Sequence, residues 1–382
     1  MFPVHHVPLH TLSELTGDFV VYRNLQPFDP RVPGFQQAWR EMGLRGPQLV
    51  RKQDPAYAQV AVWFLERFHA LHAPGTPPTE VLLIGDTLGN DGGAFRMVAS
   101  TTGWSGSAFI GTEDLAQPAA MTWDDDLCIA NRWEGLGDWL RALLARGLAL
   151  DRRTIVIVDI DKTALGGRGR NDGPIDATRL IGMTETVRAA LGPNADFETF
   201  TAIYNELNRP AYKDLTADNQ DYLAYICIMA GAGVLPLPEI QTGHTQDKMN
   251  DFASFITAIE ARGVRLPSSL RDLHLTVYTA FQAGDPTPFK DFRRQEYRAA
   301  VNRMGNLPDD ASTAERYQNE ICLTREVWDA CIWLAQRGAL ITSFSDKPDE
   351  ACAPTPALAA LGLLPVHHTP THIAGNGLRL AL

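Results

Sequence analysis

TIVIVDIDKT, residues 154–163, decides how the rest of the chain reads. Five β-branched residues in succession favour a strand, and an uninterrupted apolar run needs cover on both faces. The pattern is that of a buried parallel strand in an α/β sheet. It ends in two aspartates one residue apart. Ligands of open α/β sheets sit just beyond the carboxyl ends of the strands, so Asp159 and Asp161 are delivered to the place where chemistry occurs. Burying two carboxylates side by side without a counter-charge is costly. The arrangement therefore predicts a divalent cation, and oxygen-only ligands favour Mg2+.

Composition sets the bounds. With 382 residues and 45% hydrophobic content, the chain can bury a full core and is long enough for two domains. No run of about 18 apolar residues occurs, and MFPVHHVPLH lacks the charged-then-apolar build of a signal peptide, so a soluble cytoplasmic protein with no membrane attachment is expected. The five cysteines are odd in number, scattered and without a CxxC pair, which argues for reduced thiols and against a structural zinc site. A net charge of −11 argues against general nucleic-acid affinity while leaving room for a local basic pocket.

Working outward from 154–163, a second acidic strand end lies upstream. In EVLLIGDTLGNDGGAFRM the apolar run 81–84 reads as a buried strand, and Asp86, Asn90 and Asp91 occupy a glycine-rich turn into a helix. Taken alone, these polar residues are helix caps; beside the aspartates of 154–163 they become candidate ligands. Residues 107–111 read as a third strand, 124–126 as a solvated acidic loop, and 131–147 as an amphipathic crossover helix. Further upstream, Lys52 precedes a helix over 55–72, with Asp54 as its expected N-cap and Pro55 in its first turn. A lysine before a helix is well placed to meet an anion, though a single lysine there is more often a solvated surface residue. The first fifty residues are the least readable, with one β-type piece at 18–23.

Past Thr163, ALGGRGRNDGP reads as flexible and basic, and Arg168 and Arg170 either clamp an anionic substrate or simply stay in solvent. From about residue 176 to 323 the pattern becomes helical segments separated by Pro and Gly, a separate all-helical block. The α/β pattern returns with a helix near 325–337 and a strand at 339–343. The turn SFSDKP, 343–348, then puts the Ser345 hydroxyl at a strand end, suited to a phosphate oxygen or simply to capping the next helix. The chain thus divides into 1–163, 164–323 and 324–382.

The two ends overlap. Residues 3–10 read PVHHVPLH and residues 365–372 read PVHHTPTH, together holding six of the ten histidines. A histidine metal cluster is one reading, but two strand-like copies give no evidence of convergence. Tandem duplication trimmed at new points, leaving a circularly permuted chain, accounts for both copies.

Permutation brings four stretches into a familiar order. VDIDKT resembles the first motif of the haloacid dehalogenase-like (HAD) phosphohydrolases, SFSDKP the second, RKQDPAY the third with its lysine, and LLIGDTLGND the fourth. The family carries these one to four along the chain; here they run three, four, one, two, and joining the ends restores the order. Lys162 stands where the family has glycine, and Gln53 and Asp54 separate Lys52 from its proline.

The resemblance implies an α/β, HAD-like doubly wound parallel sheet with an inserted all-α cap. It implies a Mg2+-dependent phosphatase acting on a small phosphorylated metabolite. Asp159 would be the nucleophile that becomes aspartyl-phosphate and Asp161 the general acid and base. Asp159, the Asp161 carbonyl and Asp86 would hold the metal, with Asp91 ordering a coordinated water. Ser345 and Lys52 would bind the phosphoryl group, and Thr163 would brace the loop beside it. The competing readings are a phosphotransferase or nucleic-acid end phosphatase, with Arg168, Arg170 and the basic stretch 290–298 as contacts, and a catalytically silent binding protein. Neither the substrate nor the oligomeric state is legible.

Overall fold

The computed structural model describes residues 8–52, 54–262 and 266–380. The chain divides into two units. The first comprises Met1–Ile175, Val301–Cys352 and Pro356–Leu382, and the second Asp176–Ala300 with Ala353–Thr355. Residues 164–175 and 301–323, assigned by sequence to the helical block, therefore group with the sheet.

The first unit is built on seven strands: β1 (Val20–Val21), β2 (Glu80–Gly85), β3 (Ser105–Gly111), β4 (Met121–Asp124), β5 (Leu127–Ala130), β6 (Thr154–Val158) and β8 (Leu340–Phe344). Their order is β1-β8-β6-β2-β3-β5-β4, and every pairing is parallel except β4 with β5. A separate two-stranded parallel ribbon joins β7 (Leu323–Thr324) to β9 (Ile373–Ala374).

All five residues of β6 are buried, as its β-branched run requires. Its side chains alternate between two apolar layers. Ile155 and Ile157 join Val81 and Leu83 of β2 against Val60, Phe64 and Phe68 of the helix Tyr57–His72 and Phe95 and Val98 of the helix Gly93–Thr102. Val156, Val158, Leu82 and Ile84 are buried on the opposite parity. On the lower rim, buried Glu80 accepts from Leu150 N at 3.0 Å and Thr154 Oγ1 at 2.7 Å, fixing where β2 and β6 start.

Several local expectations change. Residues 121–130 form an antiparallel hairpin turning at Asp125, which takes a left-handed φ of 53°; three aspartates in succession masked the two short strands. Asp54 does not cap its helix: its Oδ2 accepts from Arg51 N at 2.6 Å, closing the turn that carries Lys52. SFSDKP leads not into a regular helix but into one tight turn, Asp349–Ala351. Residues 366–368 of the second PVHH copy also form a tight turn rather than a strand. Most of the first copy, residues 3–7, lies outside the described residues. Its last residue, His10, pairs with Thr371 through two backbone hydrogen bonds of 2.8 Å.

The second unit contains eight helices among the described residues, counting Gly173–Leu191 and Lys290–Val301, which cross its ends. Gln220–Gly231 is apolar nearly all round and is buried from Leu223 to Ala230, so it forms the unit's centre. Tyr222 stacks on Phe252 with ring centroids 3.8 Å apart, and Tyr225 Oη meets His274 Nδ1 at 2.5 Å.

All five cysteines are reduced and buried. Cys227 lies in the helical unit; Cys128, Cys322, Cys331 and Cys352 lie in the sheet unit. No helix of the described residues is long and apolar enough to cross a membrane.

Candidate active site at the carboxyl edge of the sheet

Strands β2, β6 and β8 are adjacent and parallel, so their carboxyl ends open at one edge. Asp86 follows β2, Asp159 and Asp161 follow β6, and Ser345 follows β8. Lys52 enters this edge from the turn before the Tyr57–His72 helix. Its Nζ donates at 2.8 Å to both Asp159 Oδ1 and Asp91 Oδ1, although 107 residues separate it from the first and 39 from the second. Lys52 is only 7% exposed, Asp159 8% and Asp91 2%, so these are desolvated ion pairs rather than surface ones.

Asp91 sits in a wide π-type turn, Leu88–Gly92, that precedes the helix Gly93–Thr102. The turn swings its carboxylate back under β2, where Oδ2 accepts from Thr87 Oγ1 at 2.6 Å, Thr87 N at 3.0 Å and Asp86 N at 3.3 Å. Gly85 makes room for it: a Cβ there would stand 2.6 Å from Asp91 Cβ and 2.8 Å from Oδ2. Asp86 is bound by the Arg168 guanidinium through Nε. Asp161 accepts from Lys347 Nζ at 3.0 Å. Ser345 Oγ accepts from Lys347 N at 3.3 Å, and the adjoining Asp346 takes Arg51 Nε at 2.9 Å. Two small hollows share Lys52, Tyr57 and Phe344; one reaches Asp91 and Asp159, the other Ser345 and Asp346.

The electrostatics follow from burial. Desolvation pushes the Asp159 carboxyl well above the usual range; Lys52 opposes this, while Asp91 and Asp86 reinforce it. Burial also carries Asp86 up to about 6, against Arg168 and with help from Asp91 and Asp161. Asp91 goes the other way, because Lys52 and the Thr87 donors outweigh its desolvation. Burial disfavours the Lys52 ammonium, but Asp159 and Asp91 more than offset it, holding its pKa well above the usual value. Asp86, Asp91 and Asp159 each place an oxygen within 4.8 Å of the other two, an all-carboxylate donor set able to hold a metal ion.

Two predicted residues are not brought to this cluster. Arg170 makes a bidentate pair with fully buried Glu326, Nη1 to Oε1 at 2.9 Å and Nη2 to Oε2 at 2.6 Å, and is spent as a structural tie rather than a substrate clamp. Thr163 is fully buried, and its Oγ1 meets no hydrogen-bond partner among the described residues. Its backbone oxygen accepts from Thr324 Oγ1 at 2.5 Å, which ties the loop at 163 to β7.

Nor is the segment 162–171 loose. Gly166 N donates to Cys322 O at 2.8 Å, Arg168 N to Lys162 O at 2.8 Å, and Asn171 Nδ2 to Glu320 O at 2.9 Å. The glycines supply backbone shape, as at Gly169, where φ is 79° and a Cβ would stand 2.3 Å from Glu113 O.

Sequence reading missed Thr87, Tyr57 and Lys347. All three lie inside stretches already singled out, Thr87 in LLIGDTLGND, Lys347 in SFSDKP and Tyr57 at the end of RKQDPAY, but none is a residue type that those motifs single out. The stretch 290–298 is not a free basic face: Arg293 is buried between Asp221 and Glu296 at 2.7 Å each, and Arg294 pairs with Asp291 at 2.9 Å. A cleft of about 520 Å3 lies within the helical unit, lined by Thr186, Asp272, Lys290 and Arg294 among others. It is roomier than the hollows at the sheet edge but holds none of the clustered aspartates. We therefore place the candidate chemistry at the sheet edge.

Comparison of the chain with protein-family models, with curated proteins and with solved structures finds no match. What the fold and site define by themselves is an α/β protein with a mostly parallel seven-stranded sheet and a buried lysine–carboxylate cluster at its carboxyl edge.

Proposed function

We propose that the chain is a circularly permuted phosphohydrolase of the HAD-like type, acting on a small phosphorylated metabolite through an aspartyl-phosphate on Asp159. The observation that carries this reading is the double contact of Lys52 with Asp159 and Asp91, which joins three of the four motif stretches at the edge where Ser345 supplies the fourth. Strand order supports it. A chain begun at β6 and joined end to start would pass through β6, β8, β1, β2 and β3, and the observed neighbours then read 3-2-1-4-5, a doubly wound order. The bridge between His10 and Thr371 brings the last residue of the first copy against the second, in keeping with a permuted junction there.

The buried, oxygen-only donor set fits a hard cation, and Mg2+ is the ion expected. Asp159, Asp86 and the Asp161 carbonyl would hold it, with Asp91 behind them; when bound it offsets repulsion between the attacking carboxylate and the phosphate. The chain's own residues do the rest. An Asp159 oxygen attacks phosphorus as the ester P–O bond breaks, and Asp161 gives its proton to the leaving oxygen. Asp161 then takes a proton from the water that attacks the aspartyl-phosphate, releasing phosphate and restoring Asp159. Lys52 and Ser345 stabilise the equatorial oxygens, each worth about 2–4 kcal/mol in the transition state. Lys347 orients Asp161 through the 3.0 Å contact. An end phosphatase for nucleic acid draws less support, because the cations of 290–298 named above are already paired.

The test is hydrolysis of p-nitrophenyl phosphate with and without Mg2+, wild type against Asp159→Asn. Activity that needs Mg2+ and falls to background in the variant is expected. If both proteins are inert, Mg2+-dependent trapping of beryllium fluoride on Asp159 distinguishes a selective phosphatase from a silent binder; no trapping would rule against the phosphohydrolase reading.

A further inference from the structure

Away from the carboxyl edge, a second cluster assembles at the amino end of β1. Asp18 precedes that strand by two residues, and the turn Val366–His368 brings two adjacent imidazoles to it. His368 Nε2 lies 2.7 Å from Asp18 Oδ1, and His367 Nε2 lies 3.7 Å from the same oxygen. One ligand atom from each of the three residues falls within 4.8 Å of the others.

The independent observation is His367 itself. It is fully buried, and its Nε2 has no hydrogen-bond partner among the described residues. A ring nitrogen in that position, with a carboxylate oxygen beyond hydrogen-bond distance at 3.7 Å, forfeits a hydrogen bond's worth of free energy. The other nitrogen, Nδ1, lies 3.2 Å from Tyr22 Oη, and Phe28 packs edge-on at 4.4 Å. With Nδ1 held against the Tyr22 hydroxyl and Nε2 turned toward a second imidazole and a carboxylate, the ring is fixed in the way metal-ligating histidines are.

We propose that Asp18, His367 and His368 form a binding site for a divalent transition-metal ion of the zinc class, separate from the acidic cluster at the carboxyl edge. Two imidazole nitrogens and one carboxylate oxygen are ligands suited to Zn2+, in contrast to the all-oxygen set of Asp86, Asp91 and Asp159. Three protein ligands leave a position for water. The ion would pin the turn 366–368 to the entry of β1, the edge strand of the sheet, joining segments about 350 residues apart in sequence. The histidine-rich copy at 365–372 thus gains a chemical role, with its third ligand coming from Asp18.

The test uses the full chain, stripped of metal and labelled with 15N-histidine, in excess Mg2+ so that hard-cation sites are filled. One equivalent of Zn2+ is expected to shift the Nε2 resonances of two imidazoles and to raise the melting temperature. Affinity measured against a chromophoric chelator should fall at least ~10-fold in His368→Gln and in Asp18→Asn, and stay within about 2-fold in Asp86→Asn. Both ligands chosen for substitution are partly exposed, and the imidazole shifts need no variant at all. Absence of imidazole shifts in wild type, affinity unchanged in both site variants, or loss confined to Asp86→Asn would each overturn the assignment.

Discussion

Lys52 answers two buried carboxylates with one charge, so its removal is felt twice. Lys52→Ala leaves Asp91 and Asp159 desolvated and unpaired, and we expect a loss of about 3–5 kcal/mol in urea unfolding without Mg2+. The loss should shrink when Mg2+ is added, because a cation supplies the missing charge. In the hydrolysis assay the same variant should lose about 30- to 1000-fold in kcat/KM. A second residue makes a prediction in pH. Burial carries Asp349 up to about 6, while Asn24 N donates to its Oδ1 at 2.8 Å. The folded state therefore holds this proton more tightly than the unfolded chain does. Stability from this group is fully present below about pH 4 and is lost as pH rises through 6, on the order of 3 kcal/mol in all. Asp349→Asn keeps the acceptor and removes the charge. Its urea midpoint should exceed that of wild type at pH 7 and match it at pH 4.

At the scale of elements, the turn after β2 is the most sensitive. Gly85→Ala places a methyl group against the Asp91 side chain, so either the carboxylate leaves Lys52 or β2 shifts. We expect a loss of about 1–3 kcal/mol in stability and weaker Mg2+ binding by calorimetry, with far-UV circular dichroism unchanged. The elements around the site were legible in proportion to their local chemistry. The β-branched run of β6, the apolar 81–84 strand and the helix before His72 follow from periodicity and burial alone. The hairpin at 121–130 did not, because Asp124, Asp125 and Asp126 outweigh four-residue strands in any pattern. ALGGRGRNDGP, 164–174, reads as flexible because glycine content reports permitted dihedrals and says nothing of anchoring; Asn171 is tied to Glu320 and Cys322, 149 and 151 residues downstream. Lys162 is instructive: it stands where the resembling motif has glycine, and it holds φ at 66°, the conformation glycine would adopt freely. Arg168 and Arg170 were equal in sequence, and only packing separates them, one on Asp86 and the other on Glu326. Asp18 gave no sign of its histidine neighbours, which are brought to it by pairing between distant segments.

For the whole molecule, each unit has a core of its own, and residues 173–301 expressed alone should give a helical spectrum and a cooperative melt. Permutation makes a sharper prediction. A chain opened at exposed Gly147 and closed by a flexible linker from 380 to 8 should keep the sheet and whatever hydrolysis the parent shows; loss of both would argue against a permuted origin. The buried cysteines have a further consequence. Each thiol is shielded from a labelling reagent until the structure around it opens, so the five act as clocks built into the chain. Because Cys227 lies in the helical unit and the other four lie in the sheet unit, mass spectrometry of native-state alkylation would time the opening of each unit separately. Ligands that quiet one clock and not the other would reveal where they bind without any assay of activity.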